Sequence, residues 1–268
     1  MQLGLALQIQ TGREPQLVMK KNSILFLLLI SSLCSSQEKI LMVGNSFTFY
    51  YNLPNTIELM AKAKGLNWGV NQSYEGGVTL KEHWLGEKEL KTKALLSQNQ
   101  YTKVVFQDKS TYPLIAIDTT KKYLGLLRTL IKQPTAQYVY STWAYPNISS
   151  PAKGKITSQT IEKALKNMGT VYSNELILVG RAFDLFQERY PKYPLLTDDQ
   201  KHPNPNGSYL AACIFFASFS ELSTLGLPHR EEGFDQFGKK IFYFIIEEEI
   251  ALLCQKIADE VVMGMVKS

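Results

Sequence analysis

Short apolar runs recur along the chain at residues 40–43, 68–70, 104–106, 138–140 and 176–179. Continuous runs of this length, rich in Val, Ile and aromatic residues, fit strands buried on both faces. The segments between them carry apolar residues at helical spacing. Residues 55–64 present Ile57, Leu59 and Met60, and residues 80–97 are charged and Leu-rich. Residues 119–131 place Leu124, Leu127 and Ile131 on one face, and residues 158–168 contribute Ile161, Leu165 and Met168. Strand and helix alternating in this way predict right-handed βαβ units and a parallel sheet with helices on both faces.

Past the fifth strand the pattern changes. Tyr190-Pro191-Lys192-Tyr193-Pro194 reads as a loop, followed by the polar stretch Asp198 to Gly207. A helix over residues 208–222 carries Leu210, Cys213, Ile214 and Ala217; residues 226–237 read as irregular, and a helix over 239–262 closes the chain. No linker-like stretch interrupts this order, so residues 37–268 read as one α/β domain.

The N-terminus reads differently. Lys20-Lys21 precede an apolar run over residues 24–30, which leads into Ser31-Ser32-Leu33-Cys34-Ser35-Ser36. A basic start, a short apolar core and small residues describe a secretory signal peptide over residues 1–36, cleaved after Ser36. The run is too short to span a membrane as a stable helix. Met19 begins the pattern, so residues 1–18 read as an extension upstream of the true start. The expected destination is the periplasm or the exterior. Lipid anchoring through Cys34 is disfavoured by the bulk of Leu33 before it.

Charge adds an exclusion. The formal net charge of +5 becomes +3 once residues 1–36, with Arg13, Glu14, Lys20 and Lys21, are removed. No Lys/Arg cluster lies beside an aromatic stripe, which argues against a nucleic-acid partner. Cys213 and Cys254 sit in apolar helical patterns and read as buried free thiols rather than a disulfide framework.

Candidate chemistry gathers after the strands. Gly44-Asn45-Ser46 follows the first, and a serine at a strand-to-helix turn can be a nucleophile with backbone N–H groups beside it. The same residues also make an ordinary turn and N-cap. Gly76-Gly77 follows the second strand, where glycine lets backbone approach a ligand or simply makes a turn. Gln107-Asp108-Lys109-Ser110 follows the third; the Gln107 amide is a candidate oxyanion donor or a loop cap. Asp199-x-x-His202, stiffened by Pro203 and Pro205, has the spacing of a carboxylate orienting a histidine base; Asp198 fits that spacing less well. Trp143 and Tyr145 leave the fourth strand and, with Trp84, are candidates for lining a sugar cleft or for the core. His83, His202 and His229 are widely spaced and show no metal signature.

In this order the motifs resemble those of the SGNH/GDSL hydrolases. Gly44-Asn45-Ser46-Phe47-Thr48 is similar to the first block in its Gly-Asn-Ser variant, Gly76-Gly77 to the second and Asp199-x-x-His202 to the last. The run from Asp199 to Ala212 resembles a secreted, carbohydrate-esterase-like branch. The resemblance implies a flavodoxin-like three-layer α/β/α fold with a five-stranded parallel sheet. It also implies ester hydrolysis without a cofactor: Ser46 attacks, His202 is base then acid, and Asp199 orients His202. The oxyanion hole would use the Ser46 N–H, that of Gly76 or Gly77, and Gln107, which stands where the family usually has asparagine. Asn45 and Trp143 would contact substrate. The expected substrate is a small acyl ester, acetyl foremost, on carbohydrate. A lipase or thioesterase for longer acyl chains is the alternative enzyme, and a glycan-binding protein on a degraded esterase scaffold is the alternative from another class.

Overall fold

The computed structural model describes residues 37–146, 156–169 and 176–266. The expected signal peptide, with Cys34, lies outside the described residues. Five parallel strands form the central sheet: β1 (Glu38–Gly44), β2 (Trp68–Tyr74), β3 (Lys103–Phe106), β4 (Ala136–Tyr140) and β5 (Leu176–Ile177). Their order is β2-β1-β3-β4-β5. Ile40, Leu41, Met42 and Val43 of β1 are fully buried because the strand has neighbours on both edges and helices on both faces.

The chain leaves β1 in one direction towards β2, then crosses back over it to β3. Right-handed crossovers therefore place helices on opposite faces. One group comprises α2 (Leu53–Ala63), α8 (Val179–Arg189), α9 (Pro205–Ser220) and α10 (Glu248–Val266), which pack on one another. The other contains α3 (Leu80–Leu85), α6 (Ile117–Arg128) and α7 (Ser158–Asn167), with the short α4 (Thr92–Gln98) and α5 (Tyr112–Ile115) beside them. In a sheet of this order, ligands bind outside the C-terminal ends of the strands where the order reverses, here between β1 and β3.

Helix α9 is the buried spine of the first group. Asn204 caps it by accepting the Gly207 N–H at 3.0 Å, and Pro205 occupies its first position, where no N–H is missed. Nearly every residue from Gly207 to Phe219 is buried. Gly207 is there for close approach, since an added Cβ would lie 2.2 Å from the Leu195 carbonyl oxygen. The His202–Asn204 segment is thus anchored to the core by the helix that follows it. Cys213 and Cys254 are buried free thiols, and burial pushes both thiols up, well clear of reactivity.

The closing helix begins later than its sequence suggests. Lys240–Ile245 is strand β7, paired antiparallel with β6 (Arg230–Phe234), and α10 starts only at Glu248. The aromatic and β-branched run Ile241-Phe242-Tyr243-Phe244-Ile245 behind the Gly238 turn favours a hairpin. The segment expected as one helix over 80–97 is two, because Gly86 adopts φ +74° and caps α3. The fifth strand gives way before Val179, which opens α8, a helix with Val179, Ala182, Phe183 and Phe186 on its buried side.

Candidate active site

The turn after β1 is held by a set of buried hydrogen bonds. Asn45 accepts the Phe47 N–H at 3.3 Å and donates its amide to the Val78 carbonyl at 2.9 Å. The Asn45 carbonyl accepts both the N–H and the hydroxyl of Thr48 at 2.8 Å. Its own N–H donates to Gln107 Oε1 at 2.9 Å. Gly44 tolerates no side chain, for an added Cβ would sit 2.5 Å from Thr48 Cγ2 and 2.7 Å from Gln107 Oε1. Ser46 therefore opens the short helix α1 (Ser46–Phe49) in one orientation. Its N–H has no hydrogen-bond partner among the described residues, as expected for the first residue of a helix.

Across the crevice, His202 lies on a loop pinned by an isolated bridge between Leu196 and Pro203. His202 Nε2 is 2.9 Å from Ser46 Oγ, and Nδ1 is 2.5 Å from Asp199 Oδ2. The other carboxylate oxygen of Asp199 accepts the Thr197 hydroxyl at 2.7 Å and the N–H groups of Lys201 and His202 at 2.8 and 2.9 Å. Slight burial raises the Asp199 carboxyl, but the bonds from His202, Thr197 and Lys201 outweigh it and hold the group well below the usual carboxylate range. An ionised Asp199 fixes the proton of His202 on Nδ1 and leaves Nε2 to accept from Ser46. Aromatic rings hold the imidazole in plane: Tyr50 stacks on it at 4.4 Å and Phe47 meets it edge-on at 5.6 Å.

Several expected site residues sit elsewhere in the architecture. Gln107 is fully buried, with Oε1 holding the Asn45 N–H and Nε2 donating to the Asp108 carbonyl. Its Oε1 and one of its two Nε2–H groups are engaged inside the protein, which places Gln107 as scaffold behind the turn. Asn45 is 4% exposed with both side-chain groups engaged, so it shapes the turn rather than touching substrate. Trp143 is likewise a correction. It is 1% exposed, sandwiched between Phe47 at 4.5 Å and Phe183 at 4.2 Å, and its indole N–H donates to the Lys201 carbonyl at 3.0 Å. It props the histidine loop from within the core. Tyr145, half-buried, packs edge-on against Phe47 and shares a hydrogen bond with Ser110.

Gly76 and Gly77 are exposed. The Gly76 N–H is taken by the Glu75 carboxylate at 2.7 Å, whereas the Gly77 N–H has no partner among the described residues. Asp199, and not Asp198, meets His202. Asp108 was no part of the expected site, yet it is buried and accepts from the Leu80 and Lys109 N–H groups and the Thr120 hydroxyl. Burial raises its carboxyl above the ordinary range despite those bonds. Among the described residues no group of three or more His, Cys, Asp or Glu is placed to hold a metal ion. No helix among them is long and apolar enough to cross a membrane.

Strand β7, residues 51–52 and the start of α9 line a groove of about 350 Å³. Tyr51, Thr56, Ser208, Tyr209, Phe242 and Phe244 are among its walls. It is bordered by chain just downstream of both Ser46 and His202, and it is largely apolar.

No family model matches the chain, and no curated protein matches it. Solved structures do. A DUF4886 family protein from Bacteroides uniformis superposes with a TM-score of 0.63 at 17% identity, covering 85% of this chain and 95% of that one. A candidate SGNH hydrolase from Slackia heliotrinireducens gives 0.52 at 21% identity, covering 69% and 100%. The TesA structure gives 0.51 at 16% identity, covering 69% and 99%. The chain thus has the three-layer α/β/α fold of the SGNH hydrolases.

Proposed function

We propose that the chain is an exported serine esterase that hydrolyses small acyl esters, acetyl foremost, with carbohydrate as the alcohol part. The observation that carries the ester chemistry is the continuous relay from Ser46 Oγ through His202 to Asp199, at 2.9 and 2.5 Å. His202 Nε2 accepts the Ser46 proton as Oγ attacks the ester carbonyl. Asp199 keeps the ring in the accepting tautomer and stabilises the imidazolium that forms. The unpartnered N–H of Ser46 is a donor for the oxyanion, and the Gly77 N–H is the second candidate. His202 then protonates the departing alcohol, and water repeats the sequence to release the acid.

Export rests on the pattern of residues 1–36, and the carbohydrate part rests on the resemblance of the Asp199–Ala212 run. A second enzyme reading, hydrolysis of longer acyl esters or thioesters, is favoured by the apolar groove lined by Tyr51 and Phe242. The glycan-binding alternative is disfavoured by a relay already within hydrogen-bond distance at both joints.

The test is hydrolysis of an activated acetyl ester by the full chain beside Ser46→Ala and His202→Ala. Activity lost in both variants, with folding intact, supports the esterase. An inactive wild type, or activity surviving Ser46→Ala, sinks it.

A further inference from the structure

A second, fully buried imidazole lies behind the nucleophile turn and takes no part in the relay. His83, in α3, places Nε2 3.0 Å from the Gly44 carbonyl oxygen and Nδ1 2.7 Å from Thr92 Oγ1. Thr92 Oγ1 is in turn 2.8 Å from Ser73 Oγ at the end of β2. A carbonyl can only accept, so Nε2 carries the proton. In the neutral ring Nδ1 then accepts from the Thr92 hydroxyl, which accepts from Ser73. One tautomer satisfies the whole chain, and burial keeps the ring neutral.

On the other side of the same peptide unit, the Asn45 N–H donates to Gln107 Oε1 at 2.9 Å. The Gly44–Asn45 peptide is therefore gripped at its C=O by His83 and at its N–H by Gln107. The two grips share one base. Asp108, next to Gln107, accepts the Leu80 N–H at 2.9 Å, at the first residue of the helix that carries His83. The peptide that follows carries the Ser46 N–H, so any rotation of the gripped plane turns that N–H and swings Ser46 Oγ against His202.

We propose that His83 is a positioning residue: with Gln107 it fixes the Gly44–Asn45 peptide plane and so aims the Ser46 N–H and Oγ. The proposal rests on the serine-esterase reading above. A misaimed N–H costs stabilisation of the oxyanion, which exists only in the transition state, so the loss falls on kcat and not on KM.

The test compares His83→Leu, His83→Gln and Thr92→Val in the full chain on an activated acetyl ester, with circular dichroism and thermal unfolding alongside. Glutamine can still donate to the Gly44 carbonyl and accept from Thr92; leucine does neither. The expected result is a kcat reduced by roughly 10–100-fold in His83→Leu, somewhat less than the loss of a whole oxyanion donor. KM should stay within about twofold, and His83→Gln should recover most of the loss. Where His83→Leu does not fold, Thr92→Val decides. It removes the hydroxyl that donates to Nδ1 and helps hold the ring against the Gly44 carbonyl, and a kcat loss at constant KM supports the proposal. A folded His83→Leu with wild-type kcat, or His83→Gln as impaired as His83→Leu, overturns it. So does a Thr92→Val enzyme with unchanged kcat when His83→Leu is unfolded. A wild type with no esterase activity removes the esterase reading and this proposal together, whereas an active wild type with an equally active His83→Leu removes this proposal alone.

Discussion

The Tyr50 ring lies over the His202 imidazole with centroids 4.4 Å apart and planes 7° from parallel. The Tyr50 carbonyl accepts the Ser208 hydroxyl at 2.7 Å, which ties the stacking residue to the first turn of α9. One face of the imidazole is therefore covered from the same helix that anchors the histidine loop. A stacked aromatic pair is worth about 0.5–1.5 kcal/mol beyond its buried area. Tyr50→Ala should accordingly lower kcat/KM for an acetyl ester by up to about tenfold, since 1.4 kcal/mol is one decade. Tyr50→Phe keeps the stack and should stay within about twofold. Equal losses in both variants would show that the hydroxyl, and not the ring face, matters.

Asp199→Asn replaces the acceptor of the Nδ1 proton with an amide and removes the charge that favours the imidazolium. Loss of the orienting carboxylate costs about four decades of kcat in the worked serine-protease case, so a fall of about 10³–10⁴ is expected. The same carboxyl is held below its ordinary range by bonds made only in the fold. Its stabilising contribution is thus complete above the unfolded value of about 3.9 and lost as pH falls further. The stability gap between wild type and Asp199→Asn, measured by urea unfolding, should be constant from pH 7 to 5 and shrink below about pH 4. A gap as large at pH 2 as at pH 7 would contradict this.

The groove separates the two enzyme readings. Phe242, half-exposed on β7, forms one of its walls. If a longer acyl chain enters the groove, Phe242→Ala should raise KM for octanoyl and decanoyl esters about tenfold, as expected for losing a buried aromatic contact. Acetyl hydrolysis should not change. An unaltered chain-length profile would leave the acetyl reading standing and remove the long-chain one.

The strands are legible in the sequence because each carries a local apolar run, unbroken in β1 and β3, which are buried along almost their whole length. Ser46, Asp199 and His202 also announce themselves locally, through a strand-end turn and an i, i+3 spacing on a proline-stiffened loop. The direction of Gln107 is not local. Its amide turns towards Asn45, 62 residues away, and glutamine at a strand end looks the same whether it faces ligand or scaffold. Trp143 fails for a related reason: the partners that bury it, Phe47, Phe183 and the Lys201 carbonyl, come from three separate segments. His83 bonds to residues 9 and 39 positions away and is equally silent in sequence. The β6–β7 hairpin was readable, since its aromatic run lies behind a glycine turn. The helical pattern that follows it masked the boundary.

The buried state of His83 also sets how the fold responds to acid. Burial pushes its ring down to about 4, against which the Gly44 carbonyl and the Glu82 charge pull weakly upward. In the unfolded chain the same ring titrates near 6.5. Above that value the ring is neutral in both states and costs nothing. Between about 6.5 and 4 the unfolded chain binds the proton and the fold does not, so stability falls as pH drops through this window. Below about 4 both states are protonated and the loss levels off. At about 1.4 kcal/mol per pH unit the whole window is worth ~3 kcal/mol. His83→Gln does not titrate, while Glu82, Asp108 and the remaining carboxylates respond alike in both proteins. Urea unfolding at pH 7, 6, 5 and 4 should therefore show wild type losing ~3 kcal/mol relative to His83→Gln across the series. A difference that stays constant over this range would mean that His83 binds its proton as readily in the fold as in the unfolded chain, and the neutral ring that accepts from Thr92 at Nδ1 would have to be abandoned.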